Sequence, residues 1–128
     1  MIKIAIDLDG TINGSSLSIN FFHILTNLLI TDHYITILTN RDPGTEQEIS
    51  AELNKLGISY SDIVITADKT DYIMKNGIEV FVENEDEQFL SLPENILVLK
   101  VRENMNFDFG EKEKKWIGSK KTTKMIDD

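Results

Sequence analysis

Short runs of β-branched and aliphatic residues recur five times along the first hundred residues, separated by polar turns and by segments with helical spacing. The runs occupy residues 2–6, 34–38, 63–65, 78–82 and 96–101. Near-continuous apolar runs of this length are typical of strands buried on both faces. Single helices between such strands imply right-handed crossovers and a parallel sheet. The chain is therefore predicted to be an α/β protein, a three-layer α/β/α sandwich around a five-stranded, parallel, Rossmann-like sheet.

Helix signals fill most of the intervals between these runs. Ser18 is predicted to be the N-cap of a first helix, because apolar residues with 3-4-3 spacing follow it. Thr45 and Glu48 resemble a capping box that opens a second helix, which is predicted to end at Gly57. Lys69 is predicted to open a short third helix.

The composition favours one compact domain. Of the 128 residues, 41% are apolar and 27% are charged, which is ordinary for a chain that buries a core. The apolar pattern weakens after Arg102. Six of the thirteen basic residues lie beyond that point: Lys112, Lys114, Lys115, Lys120, Lys121 and Lys124. Residues 1–102 are predicted to form the core, and residues 103–128 a basic tail that packs on it or extends from it.

Charge and residue usage argue against several classes of function. The net charge of −9 disfavours nucleic-acid binding, which needs clustered Lys and Arg. No run of about 18 apolar residues is present to span a membrane, and two acids follow the start too soon for a signal peptide, so a soluble cytoplasmic protein is expected. Because the chain has no cysteine, a bound metal is expected to be a hard cation held by oxygen, which favours Mg²⁺.

Polar side chains follow four of the predicted strands at the point where each strand ends. The carboxyl ends of parallel strands share one edge of the sheet, and ligands bind there near the switch in strand order. The residues that this rule brings together are Asp7 and Asp9, Thr39 and Asn40, Lys69, and Glu83 with Asn84. A purely structural role explains any one of these segments more easily than all four.

Asp7 and Asp9 lie two residues apart at the end of an extended strand, so their side chains start on the same face. Two ionised carboxylates at this separation repel each other, and a cation relieves the repulsion. Mg²⁺ meets this need with oxygen ligands. Gly10 and Thr11 continue the turn with backbone N–H groups suited to phosphate oxygens, and Lys69 supplies positive charge for a phosphoryl group.

These residues resemble the motifs of a known superfamily of phosphohydrolases. Asp-Leu-Asp-Gly-Thr at residues 7–11, after a hydrophobic strand, is similar to the first signature motif of the haloacid dehalogenase superfamily. Ile-Leu-Thr-Asn at residues 37–40 resembles the second motif, Lys69 the third, and the acidic stretch 81–86 the fourth. Four motifs in the family's order are far more specific than one. The likeness covers roughly residues 2–100.

The resemblance implies a Mg²⁺-dependent phosphatase that cleaves a phosphate monoester through an aspartyl-phosphate intermediate. It makes Asp7 the nucleophile and Asp9 the general acid and base. Superfamily members that hydrolyse phosphate esters usually carry aspartate at the second position, so Asp9 favours a phosphatase over a dehalogenase. The implied phosphate-binding residues are Gly10, Thr11, Thr39, Asn40 and Lys69, and the implied metal-binding residues are Asp7, Asp9, Glu83 and Asn84.

The fourth motif departs from the family pattern. Relatives commonly carry a Glu-Asp or Asp-Asp pair there, whereas this chain has Glu83-Asn84 followed by three more acids. An asparagine oxygen can coordinate Mg²⁺ but contributes no charge. The third protein ligand is therefore left open among Glu83, Asn84 and Asp86.

The chain has no insertion of the kind that forms a cap domain in this superfamily. Only about thirty residues separate Thr11 from Thr39, and about thirty more reach Lys69, each stretch being used by one helix and one strand. An open pocket is expected. It suits an exposed phosphate on a larger molecule, or a small phosphorylated metabolite or nucleotide that is covered by a second subunit or by the tail around Trp116.

Two features bear on the substrate. Residues 39–42 and the spacing from Lys69 to Glu83 somewhat resemble the 5′-nucleotidase-related branch, which makes nucleotides one candidate class. Arg41 is interpreted as a solvated loop residue in preference to a contact for a second anionic group.

Two other classes of protein stay open. A degenerate superfamily member that binds Mg²⁺ and phosphate without turnover is compatible with Asn84. A signalling receiver domain also gathers acids, a hydroxyl residue and a lysine on a doubly wound sheet. Its phosphoacceptor ends strand three, where this chain has Ala67-Asp68, and its acids are adjacent, whereas these follow an Asp-X-Asp pattern.

Overall fold

The computed structural model describes residues 1–110 and 114–117. Its main strands are β1 (Lys3–Ile6), β2 (Tyr34–Thr39), β3 (Asp62–Ile65), β4 (Val80–Glu83) and β5 (Leu97–Lys100). All five are parallel and form one sheet in the order β3-β2-β1-β4-β5. The prediction of a five-stranded parallel sheet is confirmed, and each strand end lies within two residues of its predicted place.

Helices flank the sheet on both faces. They are α1 (Ser16–Leu29), α2 (Glu46–Leu56) and α3 (Lys69–Lys75). Phe22 of α1 and Leu53 of α2 belong to one buried cluster with Ile6, whereas Ile73 of α3 belongs to a second cluster with Ala5. Since successive residues of a strand point to opposite faces, β1 supplies side chains to both cores. The uninterrupted apolar sequence of β1 follows from this double burial.

The strand order reverses beside β1. Ile4 of β1 pairs with Ile35 of β2 on one side and with Val80 of β4 on the other. The chain runs outward from β1 to β2 and β3, then returns to place β4 and β5 on the opposite side. Such a reversal opens a crevice at the carboxyl ends of the strands, where open α/β sheets bind ligands. Asp7 follows β1 directly and therefore stands at this crevice.

The first helix begins earlier than predicted, and the prediction that Ser18 caps it is wrong. Ser15 is the N-cap, because its backbone is extended and its side chain accepts a hydrogen bond from the Ser18 N–H at 3.0 Å. Ser18 thus occupies the third helical position, where its N–H is one of the donors that a cap must satisfy.

The second helix starts where predicted but without the expected capping box. Thr45 is at the N-cap position, yet its side chain makes no capping hydrogen bond. Its hydroxyl donates instead to the Asp42 carbonyl at 2.7 Å, which closes the preceding turn. The predicted end at Gly57 is confirmed, and this residue has the left-handed backbone (φ +73°) that favours glycine.

Part of the tail packs against the last strand of the sheet. Two short strands, β6 (Phe107–Asp108) and β7 (Lys115–Trp116), pair in the antiparallel sense. The Trp116 ring meets Phe107 edge to face, and the Lys100 ammonium lies 3.6 Å from the Trp116 ring centroid. This small ladder was not predicted, because each strand is only two residues long. Four lysines of the predicted basic tail, at positions 112, 120, 121 and 124, lie outside the described residues.

The outer surface of α1 is apolar. Phe22 is buried in the core, but its neighbour Phe21 is 54% exposed, so only one of this aromatic pair is a core residue. The other exposed apolar residues of this helix are Leu17, Ile24 and Leu28. Within residues 1–110 and 114–117, no helix is long and apolar enough to cross a membrane.

Candidate functional site

A cavity of about 220 Å³ opens at the carboxyl end of the sheet. It is lined by Asp7, Asp9, Thr39, Asn40, Lys69, Glu83, Glu85 and Gln88. Six of the nine residues that the sequence singles out are in this lining. The other three, Gly10, Thr11 and Asn84, lie beside Asp7 in the following turn and at the end of β4. The convergence of four separate segments at one edge is thus present in the structure.

Asp7 is fixed at the end of β1. Its backbone N–H donates to the Val82 carbonyl at 2.9 Å, which extends the pairing of β1 with β4 by one residue. Its side chain is buried. Oδ1 accepts a hydrogen bond from Lys69 Nζ at 2.7 Å, and Oδ2 accepts one from the Thr11 hydroxyl at 2.9 Å. The orientation of the Asp7 carboxylate at the edge of the cavity is therefore fixed by a hydrogen bond to each of its oxygens.

Lys69, the first residue of α3, joins two buried carboxylates. Its Nζ lies 2.7 Å from Asp7 Oδ1 and 2.7 Å from Glu83 Oε1. Burial opposes the charge on Lys69, but the adjacent carboxylates outweigh this effect and raise its pKa. The ammonium reduces the repulsion between the two acids and presents a cation to any phosphoryl group in the cavity.

Glu83 ends β4 and is only 1% exposed. Its Oε2 accepts hydrogen bonds from the backbone N–H groups of Asn84 at 2.9 Å and Glu85 at 3.2 Å, and its Oε1 accepts one from Lys69. Burial and the nearby charge of Asp7 raise the pKa of Glu83 to about 8, against the opposing effect of Lys69. Both carboxylate oxygens of Glu83 thus accept hydrogen bonds from other groups of the protein.

A turn, Leu8–Ile12, follows Asp7 and brings Asp9, whose backbone is extended, to the rim of the cavity. Gly10 has a left-handed backbone with φ +78°. Its N–H donates to Asn13 Oδ1 at 2.9 Å, while the Thr11 hydroxyl donates to Asp7. These two residues shape the turn and orient Asp7, and neither lines the cavity.

The side-chain amide of Asn84 lies among oxygen atoms. One of its polar atoms is 2.9 Å from Asp7 Oδ2, 2.8 Å from Glu83 Oε2 and 3.2 Å from the Asp9 carbonyl oxygen. If this atom is the amide nitrogen, it donates to these oxygens. If it is the amide oxygen, the Thr11 hydroxyl, 3.2 Å away, donates to it, and it lies among acceptor oxygens of Asp7, Glu83 and Asp9, where a cation would relieve the repulsion.

The second orientation is the one that suits a metal ion. In it the Asn84 amide oxygen lies 2.9 Å from Asp7 Oδ2 and 3.2 Å from the Asp9 carbonyl oxygen, so three oxygen atoms of the kind that Mg²⁺ prefers are close together. Within residues 1–110 and 114–117, no group of three or more His, Cys, Asp or Glu side chains is arranged to hold a metal. A metal here would therefore combine one carboxylate with amide and carbonyl oxygens.

Asp9 is held from outside the cavity by an arginine. Arg41 Nε donates to Asp9 Oδ2 at 2.9 Å, and Arg41 Nη2 donates to Asp9 Oδ1 at 2.7 Å. Asn13 Nδ2 adds a third hydrogen bond to Asp9 Oδ1 at 3.0 Å. The hydrogen bonds from Arg41 hold the pKa of Asp9 below its usual value, although partial burial works in the opposite direction.

Arg41 is itself fixed by a second carboxylate. Its Nη1 donates to Glu52 Oε2 at 2.6 Å and its Nη2 to Glu52 Oε1 at 3.3 Å. The interpretation of Arg41 as a solvated loop residue is therefore wrong, because its side chain is only 27% exposed and both edges of its guanidinium are paired. The available sequence signal was its place directly after Thr39-Asn40, at the same strand end as two predicted site residues.

The remaining candidates divide between the cavity and its surroundings. Thr39 is buried and Asn40 is exposed, and both line the cavity. Glu85 and Gln88, which the sequence did not single out, also line it. Asp86 does not, because its side chain is buried in an ion pair with Lys100. Of the three residues left open as the third metal ligand, Asp86 is thus the one that points elsewhere.

No protein-family model matches this chain, and neither a characterised protein nor a solved structure shows a significant match to it. The fold and the site define an α/β protein with a parallel five-stranded sheet and a polar cavity at its carboxyl edge. Any function must therefore be argued from the chemistry of that cavity.

Proposed function

We propose that this chain is a Mg²⁺-dependent phosphatase of the haloacid dehalogenase type, which hydrolyses a phosphate monoester through an aspartyl-phosphate on Asp7. The observation that carries the proposal is the placement of Asp7. Its carboxylate stands at the end of the central strand, lines the cavity, and is oriented by Lys69 on one oxygen and Thr11 on the other. A carboxylate held in this way is suited to nucleophilic attack on phosphorus.

In the first step, an Asp7 oxygen forms a bond to phosphorus and the bond from phosphorus to the ester oxygen breaks. Asp9 donates a proton to the departing oxygen, so that an alcohol leaves. Lys69 binds the equatorial phosphoryl oxygens, together with Thr39 and the Asn40 backbone, and stabilises their charge. The products of this step are the alcohol and the acyl phosphate on Asp7.

In the second step, a water molecule attacks the phosphorus of the acyl phosphate and gives a proton to Asp9. The bond between phosphorus and the Asp7 oxygen breaks, which releases phosphate and restores both carboxyl groups to their starting states. Arg41 favours the ionised form of Asp9, which is the form that accepts the proton in this second step, whereas the first step requires the protonated form. Asp9 lines the cavity, as this role demands.

Asp7, the Asp9 carbonyl and the side-chain oxygen of Asn84 would hold Mg²⁺. The ion supplies positive charge that polarises a phosphoryl oxygen and relieves repulsion between phosphate and Asp7. Asn84 is favoured as the third ligand, because Glu83 already accepts three hydrogen bonds from Lys69 and two backbone N–H groups. Glu83 then orients Lys69 and Asn84 without binding the metal itself.

The substrate class follows from the size and openness of the cavity. About 220 Å³ accommodates a phosphoryl group and a small part of what it is attached to. The lining of the cavity is acidic, since Glu85 adds to Asp7, Asp9 and Glu83, and it disfavours a leaving group rich in negative charge. The proposed substrates are a small phosphorylated metabolite or nucleotide, or a phosphate exposed on a larger molecule. A cytoplasmic location and a covering second subunit stay predictions.

The experiment is a turnover screen with a matched control. Purified protein is assayed for phosphate release from 4-nitrophenyl phosphate, sugar phosphates and nucleoside monophosphates, with Mg²⁺ or with EDTA. Turnover is expected with Mg²⁺, and Asp7→Asn is expected to reduce it by at least about 10³-fold. Asp68→Asn is the control, because Asp68 is exposed and caps α3 through the Asp71 N–H, a role that asparagine retains. Equal activity of the Asp7→Asn variant and the wild type would overturn the proposal.

A second candidate function is a protein that binds Mg²⁺ and phosphate without turnover. The uncharged Asn84 in the fourth motif favours it, since the site has one carboxylate fewer than a strong Mg²⁺ site. Calorimetric binding of Mg²⁺ or inorganic phosphate, with no phosphate release from the whole panel, would select this candidate over the phosphatase.

A further inference from the structure

The contacts of Asp9 set it apart from the rest of the site. Arg41 meets the carboxylate with a planar fork, Nε on one oxygen and Nη2 on the other, at 2.9 and 2.7 Å. Such a pair fixes both the direction and the plane of the carboxylate, which a single lysine contact cannot do. Asp9 lines the cavity whereas Arg41 does not, so the arginine holds Asp9 from behind.

The other edge of the guanidinium is tied to α2. Glu52, on the second turn of that helix, accepts hydrogen bonds from Nη1 at 2.6 Å and Nη2 at 3.3 Å. The exposed fraction of the side chain is 56% at Asp9, 27% at Arg41 in the middle and 34% at Glu52. The arginine is therefore the best-shielded member of a three-residue chain that links the cavity rim to a packed helix.

Arg41 could either bind an anionic group of the substrate or hold Asp9 in place, and the charges around it favour the second role. Its single positive charge already faces two carboxylates, so little attraction is left for an anionic group of a substrate. Its donors are likewise occupied on both edges of the fork. Binding of a second substrate anion would require Arg41 to abandon at least one of these pairs, whereas holding Asp9 uses the contacts as they stand.

We infer that Arg41, fixed by Glu52, is the positioning residue that aims the Asp9 carboxylate at the leaving oxygen and at the attacking water. This inference rests on the proposed phosphatase function. Without Arg41, Asp9 would keep only the hydrogen bond from Asn13 and would rotate about its side-chain bonds. Phosphate binding by Lys69 would be kept, because Asp7 and Glu83, and not Arg41, hold its ammonium group in place.

The test compares leaving groups. The wild type, Arg41→Gln, Arg41→Lys and Glu52→Gln are assayed with 4-nitrophenyl phosphate, whose leaving group needs little protonation, and with phenyl phosphate, whose leaving group needs more. For Arg41→Gln, kcat/KM, which reports transfer of the phosphoryl group to Asp7 and not the later attack of water, is expected to fall about 30-fold with phenyl phosphate and at most about 3-fold with 4-nitrophenyl phosphate. Arg41→Lys is expected to recover little, because it restores the charge without the fork.

Glu52→Gln is expected to show the same selective loss at a smaller amplitude. Glu48→Gln is the matched control, since Glu48 is an exposed acid one turn earlier on the same helix. Thermal unfolding of every variant separates loss of fold from loss of positioning, because unfolding lowers activity equally toward both substrates.

The outcomes distinguish this inference from the proposed function. If the wild type turns over and Arg41→Gln loses kcat/KM equally toward both substrates, the positioning role is overturned and the proposed phosphatase function stands. A wild type that releases phosphate from neither ester overturns both.

Discussion

Gly10 and Asn84 approach so closely that a methyl group on Gly10 would overlap the amide nitrogen position of Asn84. This contact joins the turn after β1 to the end of β4, and it places the Asn84 amide against Asp7 and the Asp9 carbonyl. The absence of a side chain at position 10 is therefore part of how the proposed metal site is built.

The substitution Gly10→Ala tests this contact. The alanine would meet Asn84 and would also strain a backbone with φ +78°. Gly44→Ala separates the two effects, because Gly44 has φ +86° but no atom within 4 Å of the added methyl group. Gly10→Ala is expected to be less stable than Gly44→Ala by about 2 kcal/mol and to lose Mg²⁺-dependent stabilisation. Urea unfolding with and without Mg²⁺ measures both, and equal stability of the two variants would show that the Asn84 contact is unimportant.

Lys69 is expected to stabilise the fold by reducing the repulsion between Asp7 and Glu83. Lys69→Met leaves the buried carboxylates of Asp7 and Glu83 without their shared cation and is expected to cost about 3 kcal/mol of unfolding free energy in EDTA. The control Lys75→Met removes an exposed pair with Asp71 and should cost at most about 0.5 kcal/mol. Chemical denaturation gives both values. A Lys69 variant as stable as the Lys75 variant would contradict the assigned electrostatics.

The identity of the residue at position 84 should control metal affinity. Asn84→Asp adds a carboxylate beside Asp7 and Glu83, so it is expected to lower the Tm in EDTA and to raise Mg²⁺ affinity about tenfold. Asn95→Asp adds the same charge at an exposed site and should change neither quantity. Calorimetry with Mg²⁺ provides the affinity. An unchanged affinity in Asn84→Asp would place the metal ligand elsewhere.

The pairing of Asp9 with Arg41 has a pH signature in stability. Because the pKa of Asp9 is lowered in the folded chain, the pairing stabilises the fold above the unfolded pKa, about 4, and this contribution is lost as the pH falls through the lower folded value. Arg41→Gln should therefore melt below the wild type by about 4 °C at pH 7, and the gap should close below pH of about 4. If the difference in Tm between Arg41→Gln and the wild type is the same from pH 7 to pH 3, the lost stability is not electrostatic.

The parallel sheet was predictable because its signal is local and repeated. Each strand is a short apolar run, and the polar residues that end the runs reappear at one edge of the observed sheet. Asp7, Thr39, Lys69 and Glu83 could be placed there because the geometry of parallel strands leaves their ends no other position.

The parts that the sequence did not reveal depend on side-chain partners distant in the chain. Arg41 reads as a loop residue until α2 brings Glu52 to it, 11 positions later. Ser15 and Ser18 are both good capping residues, and only the backbone direction at Ser15 decides between them. Asp86 belongs to an acidic run in the sequence, but Lys100 of the neighbouring strand pairs with it and removes it from the cavity.

Transfer of the phosphoryl group to Asp7 can be tested by trapping the acyl phosphate. The protein is mixed with excess substrate and Mg²⁺, quenched in acid and reduced with borohydride, which converts an aspartyl phosphate to homoserine, and its peptides are then analysed by mass spectrometry. Homoserine is expected at position 7 in the wild type, in a larger amount in Asp9→Asn because breakdown of the intermediate is slowed, and not at all in Asp7→Asn. Turnover with no modification at position 7, or modification at another aspartate such as Asp68, would contradict transfer to Asp7.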